Sequence, residues 1–410
     1  MTNGKPEVLT FGCRLNASES ETLQKNAEQA GLKDTVIINT CAVTAEAERQ
    51  AGQAIRKLKR ENPNVKILVT GCSSQIDPKK YEAMPEVDGI IDNGHKLLPG
   101  SLSPVLHKSH APQNFKVTES PTGKMQRAFI QVQNGCNHRC TYCVIPFGRG
   151  ESRSISFETV TRQARAYVEA GFQEIVLTGV DITSYGRDLP GEPTLGYLVR
   201  HVLTRLPELK RLRLSSIDPA AIDADLWNEI ENEPRLMPHL HLSLQSGDDI
   251  ILKRMKRRHL RHDIVKLVER ARKSRPDMVF GADIIAGFPT ETEEMFHNTV
   301  QLVKDAGLTW LHIFQYSARK GTPAARMPQL HGNIRKTRAD TLRGLGEKAE
   351  LAHYEALIGQ KVKVLVENNG TGCTPQFAKV TLKDSQPIGQ IVDVHCVKME
   401  NNRVVAERIS

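Results

Sequence analysis

The first hundred residues alternate short apolar runs with longer stretches whose apolar residues recur at helical spacing. The runs at 7–12, 35–40 and 65–71 are typical of strands, and the stretches at 16–30 and 44–60 are typical of helices. Strands and helices that alternate with short links favour a parallel sheet covered by helices. The pattern therefore predicts an N-terminal parallel α/β domain.

A second series of strands and helices begins near residue 128. Six strand–helix units are too few for a closed eight-stranded barrel, so we expect an open, partial (βα)6 barrel. Functional loops of such a barrel lie at the carboxyl ends of its strands. The predicted strands are 129–132, 174–178, 211–215, 239–244, 279–285 and 308–316.

The chain from residue 333 onward has a different pattern. A long helical stretch at 333–357 is followed by short runs in which apolar and polar residues alternate, at 361–366, 378–382, 389–397 and 403–407. Such runs predict a small antiparallel β-barrel. The whole chain is thus expected to be an α/β protein with an N-terminal domain at 4–105, a linker at 106–124, a central domain at 125–357 and a C-terminal domain at 358–410.

Six of the eight cysteines form two groups of three. Members of the first group each follow a predicted N-terminal strand, so they should converge where the carboxyl ends of parallel strands meet. Members of the second group lie within eight residues, on the loop after the first central strand. The first group is Cys13, Cys41 and Cys72, and the second is Cys136, Cys140 and Cys143.

Three thiolates on one site indicate a soft metal, either zinc or an iron–sulfur cluster. A structural zinc needs a fourth protein ligand, which His138 or another cysteine would have to supply, whereas a [4Fe-4S] cluster can leave one iron open. Buried cysteines that merely fill the core are the alternative for the first group. Cys373 and Cys396 have no ligand spacing and are expected to be ordinary thiols.

The chain is basic, with 56 Lys and Arg against 47 Asp and Glu and a net charge of +9. The segment 253–275 carries much of the excess in a pattern close to one amphipathic helix, whose charged face is either solvated or in contact with phosphates. Arg149 and Arg153, after the second cysteine group, could guide a nucleic acid or pair with local carboxylates. No window approaches the roughly 18 to 20 apolar residues of a membrane helix, so we expect a cytoplasmic protein.

The spacing Cys136, Cys140 and Cys143, with Tyr142 before the last cysteine, resembles the CxxxCxxC signature of the radical S-adenosylmethionine enzymes. The resemblance implies a [4Fe-4S] cluster whose open iron chelates S-adenosylmethionine, and reductive cleavage of that molecule to a 5'-deoxyadenosyl radical. It implies a low-potential electron donor such as a flavodoxin. It also implies contacts with S-adenosylmethionine at Tyr142, Gly179, Ser216 and Gln245.

Other motifs resemble one family of radical enzymes, the methylthiotransferases, and within it the branch that modifies threonylcarbamoyladenosine at position 37 of tRNA. The resemblance implies a second, auxiliary [4Fe-4S] cluster on Cys13, Cys41 and Cys72, a sulfur source, and S-adenosylmethionine as both methyl donor and radical source. The expected product carries a methylthio group at C2 of the adenosine. The motifs are Phe-Gly-Cys-Arg-Leu-Asn at 11–16, Glu-Ser-Glu at 19–21, Asn-Thr-Cys-Ala-Val-Thr at 39–44, Thr-Gly-Cys at 70–72, and the segments 282–292 and 316–323.

The C-terminal domain resembles the TRAM domain, an RNA-binding barrel, in its position, its size and its 369–372 turn. This implies that the partner is tRNA, bound at its anticodon loop. Two alternatives remain open within the family, namely the isopentenyladenosine-tRNA branch and the ribosomal-protein aspartate branch. A third alternative from another class is a non-catalytic, zinc-stabilised RNA-binding protein.

Overall fold

The computed structural model describes residues 4–98, 102, 126–368 and 370–409. The predicted linker at 106–124 lies outside the described residues, and the bounds of the four predicted segments stay predictions. The described chain forms two compact units. The first unit contains described residues of Met1–Thr122 together with Gln133–Arg153 and Ser317–Ala325, and the second contains described residues of Gly123–Val132, Ser154–Tyr316 and Arg326–Ser410.

The strands in chain order are β1 (Glu7–Thr10), β2 (Thr35–Thr40), β3 (Lys66–Gly71), β4 (Gly89–Ile90), β5 (Ala128–Gln131), β6 (Gln133–Asn134), β7 (Arg153–Ser154), β8 (Glu174–Thr178), β9 (Arg211–Leu214), β10 (His239–Gln245), β11 (Val279–Ala286), β12 (Trp310–Gln315), β13 (Lys361–Asn368), β14 (Thr371–Cys373), β15 (Lys379–Leu382), β16 (Ile391–Glu400) and β17 (Arg403–Arg408).

The α-helices in chain order are α1 (Arg14–Gln29), α2 (Ala45–Glu61), α3 (Cys72–Ile76), α4 (Pro78–Glu82), α5 (Ile145–Arg149), α6 (Phe157–Glu169), α7 (Leu195–Arg205), α8 (Ala224–Asn232), α9 (Asp249–Arg254), α10 (Arg261–Ser274), α11 (Glu293–Asp305) and α12 (Gly332–Ala356). Short 3₁₀ helices lie at Ile182–Ser184, Pro219–Ala221 and Pro323–Arg326. Among the described residues, no helix has the length and apolar character that crossing a bilayer requires.

The first unit is built on a parallel sheet with the strand order β1-β2-β3-β4. Successive residues of a strand point to opposite faces, and the two faces are covered by different helices. Leu23 of α1 packs with Ile37 on one face, while Ile55 of α2 packs with Ile38 on the other. The sheet confirms the predicted N-terminal α/β fold, and its first three strands begin and end within two residues of the predicted runs.

The core of the second unit contains all six predicted central strands. They form two parallel sheets, β5-β8-β9 and β10-β11-β12, and a parallel bridge joins Ile217 to Leu242 between them. Helices follow the strands, as βα units require. The partial (βα)6 architecture is thus confirmed.

The C-terminal strands form a closed barrel with the order β13-β14-β15-β17-β16. Its pairs are antiparallel except β15 with β17, which is parallel, so the predicted small antiparallel barrel is confirmed apart from this one pair. Because β16 and β17 form a hairpin, closing the barrel brings β17 alongside β15 in the same direction. The sequence also missed β14, which begins within the 369–372 turn and pairs at once with β13.

The C-terminal barrel packs against the amino ends of the core strands. Arg213, on β9, donates from Nη1 to the carbonyl oxygen of Pro375 at 2.8 Å and from Nη2 to that of Thr374 at 2.9 Å. Trp310, the first residue of β12, donates from Nε1 to the carbonyl oxygen of Gln376 at 3.0 Å. The barrel therefore lies at the end of the core strands opposite to their carboxyl ends, where functional loops are expected.

The basic segment 253–275 is not one helix, and that prediction was wrong. Helix α9 ends at Arg254 and α10 begins at Arg261, because the chain passes through Lys256 with a φ of +59° that no helix can accommodate. Several of its arginines are engaged within the second unit rather than presented together on one face. Their partners are Asp218 for Arg258, Asp305 for Arg261, Glu231 for Arg270, the carbonyl oxygens of Ala306 and Gly307 for Arg272, and those of Ile230, Glu233 and Leu236 for Arg275.

Candidate functional site

Cys13, Cys41 and Cys72 lie beyond the carboxyl ends of three neighbouring parallel strands. Cys13 is the N-terminal cap of α1, Cys41 directly follows β2, and Cys72 is the first residue of α3. Burial raises the pKa of Cys41 to about 11, and the charges of the neighbouring Cys13 and Cys72 thiols add to the rise. The structure thus brings the three thiols of the first group close to one another.

Glycines make this close approach possible. Gly12 has a φ of +98°, and a Cβ added there would lie 2.4 Å from Cβ and 2.5 Å from Sγ of Cys41. Gly71 has a φ of +100°, and its added Cβ would lie 2.3 Å from the carbonyl oxygen of Thr40. Since real Cβ atoms do not approach other atoms so closely, only glycine fits before Cys13 and Cys72.

Polar groups surround these thiols. The backbone N–H of Val43 donates to Sγ of Cys41 at 3.5 Å, and Nδ2 of Asn93 lies 4.0 Å from Sγ of Cys72. Such donors favour the anionic form of sulfur and tune a bound metal centre. Cys41 and Cys72 are buried, whereas Cys13 is exposed. Three soft ligands with one exposed side fit an iron–sulfur cluster that keeps one iron accessible.

The second cysteine group lies on a loop that ends at α5. The N–H of Cys136 donates to the carbonyl oxygen of Gly150 at 3.1 Å, and the N–H of Ile145 donates to Sγ of Cys143 at 3.5 Å. Gly135 has a φ of +72°, and a Cβ added there would lie 1.9 Å from the carbonyl oxygen of Glu151. The chain before the cysteines and the chain after them therefore lie against each other and close the loop.

Side-chain hydrogen bonds also hold the two ends of this loop together. Nε2 of Gln133 donates to the carbonyl oxygen of Gly135 at 2.8 Å and to Oγ of Ser152 at 2.9 Å. The N–H of Ser152 donates to Oδ1 of Asn137 at 3.0 Å. Because the two ends of the loop are hydrogen-bonded to each other, Cys136, Cys140 and Cys143 are held on a preformed loop. All three cysteines are partly exposed.

Helix α5 joins the two cysteine groups directly. The Cα of Gly148 approaches α3 so closely that an added Cβ would lie 3.2 Å from Cβ of Cys72. Nδ2 of Asn93 donates to the carbonyl oxygen of Gly148 at 2.7 Å. The loop of the second group therefore rests on the strand end that carries Cys72, and both groups belong to the first unit.

Arg149 is the buried centre of this contact. Its Nη1 lies 2.7 Å from Oε1 of Glu19, and its Nη2 lies 3.1 Å from Oε2 of the same carboxylate. The guanidinium also donates to Oδ1 of Asn16 at 2.6 Å and to Oδ1 of Asn134 at 3.0 Å. Of the two roles left open for Arg149 by the sequence, the structure gives it the pairing with a carboxylate. Its hydrogen bonds link α1 to the strand that leads into the second cysteine loop.

Lys96 completes a buried charge network around Glu19. Its Nζ lies 2.5 Å from Oε2 of Glu19 and donates to Oδ1 of Asn39 at 3.1 Å. Burial alone would raise the pKa of Glu19, but the charges of Arg149 and Lys96 lower it to about 2. Burial alone would lower the pKa of Arg149, but the charges of Cys72 and Glu19 hold it above its usual value. Both groups of the pair are therefore charged at neutral pH.

The segment Ser317–Ala325 also contacts the chain around the cysteine groups. Oγ of Ser317 accepts from the N–H of Ala45 at 3.2 Å, and Arg319 forms an ion pair with Glu48 of α2. The N–H of Ala324 donates to the carbonyl oxygen of Thr141, within the second cysteine loop, at 3.0 Å. This segment contacts the chain next to both cysteine groups.

The remaining predicted contacts with S-adenosylmethionine are divided between the units. Tyr142 belongs to the first unit, whereas Gly179, Ser216 and Gln245 belong to the second. Gly179 directly follows β8, Ser216 lies two residues beyond β9, and Gln245 is the last residue of β10. Gln245 has a φ of +73°, an uncommon conformation for a residue with a side chain.

The sequence did not reveal the network of Glu19, Arg149 and Lys96. Its only signals were the Glu-Ser-Glu motif and the arginine after the second cysteine loop, because a lysine in a stretch rich in Pro and Gly gives no sign of burial. All three side chains are at most 3% exposed. A buried carboxylate with two cations is a feature of the tertiary structure alone.

Comparisons with known proteins identify two family domains in the chain. The Radical SAM superfamily model matches residues 130–303, and the model of "Uncharacterized protein family UPF0004" matches residues 5–92. The chain is 52% identical to Threonylcarbamoyladenosine tRNA methylthiotransferase MtaB of Rickettsia prowazekii over 97% of this chain and 96% of that protein. It is 33% identical to tRNA-2-methylthio-N(6)-dimethylallyladenosine synthase of Cereibacter sphaeroides over 98% of each.

A solved structure supports the fold. The radical S-adenosylmethionine methyltransferase TsrM of Kitasatospora setae aligns with a TM-score of 0.55 and 13% identity, over 78% of this chain and 74% of that one. At that identity the likeness concerns the fold alone. The near full-length relatives and the radical SAM match establish that the chain belongs to the radical S-adenosylmethionine methylthiotransferase family.

Proposed function

We propose that the protein attaches a methylthio group to C2 of N6-threonylcarbamoyladenosine at position 37 of tRNA. The 52% identity to a relative named for this reaction supports the choice of substrate. The observation that carries the proposal is the contact of two three-cysteine groups through α5, since the reaction has a sulfur-handling half and a radical half. S-adenosylmethionine serves as methyl donor in one half and as radical source in the other.

In this proposal each cysteine group holds a [4Fe-4S] cluster. Cys136, Cys140 and Cys143 bind the cluster that takes S-adenosylmethionine, and Cys13, Cys41 and Cys72 bind the auxiliary cluster. When bound, these groups supply radical chemistry, which C2 of an adenine requires because its C–H bond has no acidic proton. The exposed Cys13 faces the solvent side of its site, where a sulfur source and substrate can enter.

The chain's own residues then have defined tasks. Arg149 fixes α5 on α1 through Glu19, and its positive charge offsets the negative charge of the thiolates of Cys13 and Cys72. The hydrogen bonds of Gln133 keep the second cysteine loop in its folded conformation before any cluster binds. These residues hold and orient the site and take no part in bond breaking.

Contacts with S-adenosylmethionine are assigned to Tyr142, Gly179, Ser216 and Gln245. Gln245 supports the assignment best, because a side-chain-bearing residue at positive φ costs free energy and such strain clusters at functional sites. Gly179 and Ser216 follow parallel strands, where ligands of such sheets are usually bound.

The C-terminal barrel is proposed to act as a TRAM-like domain that binds the tRNA anticodon arm. Its contacts with Arg213 and Trp310 tie it to the core, so tRNA bound there would be held in a fixed orientation relative to the core strands. A low-potential electron donor such as a flavodoxin and a source of sulfur complete the reaction.

The test is anaerobic reconstitution, followed by incubation with tRNA that carries threonylcarbamoyladenosine and by mass spectrometry of its nucleosides. Cys140→Ala is expected to abolish both cleavage of S-adenosylmethionine and product. Cys41→Ala is expected to leave cleavage intact and to stop methylthio transfer. Cys396→Ala, in the buried core of the C-terminal barrel, is the control and should retain both activities. Full product from Cys41→Ala would contradict the auxiliary site.

A second candidate substrate is isopentenyladenosine in tRNA, because a relative named for the dimethylallyladenosine reaction covers 98% of the chain at 33% identity. Both tRNAs offered in competition distinguish the two, and we expect product on the threonylcarbamoyl substrate. Ribosomal protein offered in the same assay tests the aspartate branch. Zinc in anaerobically purified protein, without iron or labile sulfide, would instead favour a zinc-stabilised RNA-binding protein.

A further inference from the structure

Three potential metal ligands lie side by side on the second sheet of the core, in the second unit. His241 is on β10, Asp283 on β11 and His312 on β12, and their ligand atoms all lie within 4.8 Å of one another. Strand register explains the cluster, since Asp283 pairs directly with His312 and His241 pairs with Gly281, two residues before Asp283. No cysteine is among its three ligand residues.

We propose that His241, Asp283 and His312 form a binding site for one divalent transition-metal ion, zinc or ferrous iron. Nε2 of His241 lies 3.0 Å from Oδ1 of Asp283, and Nδ1 of His312 lies 3.3 Å from the same oxygen. Ligands bound at about 2.0 to 2.2 Å around a tetrahedral or octahedral ion are separated by about 3 Å. The carboxylate oxygen already has this spacing to both imidazole nitrogens, and the two nitrogens lie within 4.8 Å of each other.

The three side chains share one face of the sheet. Leu311 packs against Gly346 of α12, whose added Cβ would lie 3.1 Å from Cβ of Leu311. Because neighbouring residues of a strand point to opposite faces, the side chain of His312 lies on the face opposite to that of Leu311. Leu240, Leu242, Ala282 and Ile284 alternate with the cluster residues and are buried. An ion there would sit on a polar face whose reverse is the apolar core.

The surroundings resemble those of protein metal sites. Oγ of Ser216 donates to Oδ2 of Asp283 at 3.4 Å, which orients the carboxylate and leaves Oδ1 toward the histidines. Gly281 leaves room for the ring of His241, because a Cβ there would lie only 2.4 Å from Nδ1.

The ligand set selects the class of ion. Two imidazoles and one carboxylate bind zinc in catalytic sites and ferrous iron in facial triads, and both kinds of site keep positions open. His241 is 10% exposed and His312 is 57% exposed, so one side of the site is accessible. The open positions would therefore take water or an oxygen-donor ligand such as a carboxylate.

The experiment measures zinc that is bound in addition to the clusters. Reconstituted full-length protein, with its six cluster cysteines occupied, is dialysed anaerobically against increasing zinc, and iron and zinc are counted separately by mass spectrometry. We expect about one zinc per chain at constant iron content, and at least a 10-fold weaker affinity in His312→Ala and Asp283→Asn. His262→Ala, an exposed histidine on α10, is the matched control and should bind zinc as the unaltered protein does.

His312→Ala removes an exposed side chain, and Asp283→Asn keeps the shape of the carboxylate, so folding of the variants is checked by circular dichroism and iron content. Two results would overturn the proposal. One is equal zinc affinity in the unaltered protein and both variants, and the other is the absence of bound zinc from the reconstituted unaltered protein. Either would assign the three residues to a hydrogen-bonded cluster without metal. The measurement does not depend on the tRNA substrate, so it stands apart from the outcome of the methylthiolation assay.

Discussion

Arg149 and Glu19 form a buried, two-pronged ion pair across 130 residues of sequence, with nitrogen–oxygen distances of 2.7 and 3.1 Å. Arg149 ends the helix that follows the second cysteine loop, and Glu19 lies on the helix that Cys13 caps. Since a buried charge is stable only when it is paired, the two elements must dock for either residue to be accommodated. The pair thus couples the formation of the two cysteine sites.

Glu19→Gln is expected to destabilise the first unit by about 3 to 5 kcal/mol, because it leaves Arg149 and Lys96 buried without a negative partner. Iron content after reconstitution should fall with it. Denaturant unfolding of the cluster-free protein measures the stability. Glu28→Gln, an exposed position on the same helix, is the control and should change stability by less than about 0.5 kcal/mol. Equal unfolding midpoints for both variants would show that the pair does not couple the sites.

The carboxylate of Glu19 also makes the free energy of unfolding depend on pH. The pKa of Glu19 is lowered from 4.5 to about 2, so the folded state favours the ionised form. Its contribution is fully present above pH 4.5 and is lost as the pH falls toward 2, where the folded state also takes up the proton. The stability difference between the unaltered protein and Glu19→Gln should therefore shrink by about 3 kcal/mol over this range. A difference that stays constant from pH 7 to pH 2 would contradict the assignment.

Gly135→Ala should prevent the second cysteine loop from closing, because the new methyl group would overlap the carbonyl oxygen of Glu151. Reconstituted iron is expected to fall from about eight to about four atoms per chain, with cleavage of S-adenosylmethionine lost. Gly150→Ala is the matched control in the same loop. It also has a positive φ, of +74° with a ψ of −160°, but nothing lies within 4 Å of its added Cβ, so backbone strain of about 1 to 3 kcal/mol without a steric clash is expected. Full iron in Gly135→Ala would refute the clash.

Arg213→Lys tests the attachment of the C-terminal barrel. The guanidinium bonds the carbonyl oxygens of Pro375 and Thr374 and lies 2.7 Å from Oε1 of the buried Glu174. A lysine cannot reproduce this planar fork, so a loss of about 3 kcal/mol is expected. Urea unfolding can be followed by tryptophan fluorescence, to which Trp310 at the junction and Trp227 on α8 both contribute. Arg200→Lys, in an exposed pair with Asp225, should cost less than about 1 kcal/mol. Equal losses of stability in Arg213→Lys and Arg200→Lys would mean that the planar guanidinium of Arg213 contributes no more than an exposed ion pair.

The sequence by itself determined the elements and the position of the cysteines along them. Strand 174–178 was predicted to the residue and the other central strands within two residues at either end, because apolar periodicity is a local property. The position of Cys13, Cys41 and Cys72 after successive strands was visible for the same reason. Parallel strands then bring such residues together without further information.

Only the tertiary structure decided which distant side chains meet. The pairing of Arg149 with Glu19 and the cluster of His241, Asp283 and His312 depend on how helices dock and on the register of neighbouring strands. The break at Lys256 and the parallel pairing of β15 with β17 likewise follow from packing. Local periodicity shows which face of an element is buried, but the partner of that face is chosen by the free energy of the whole fold.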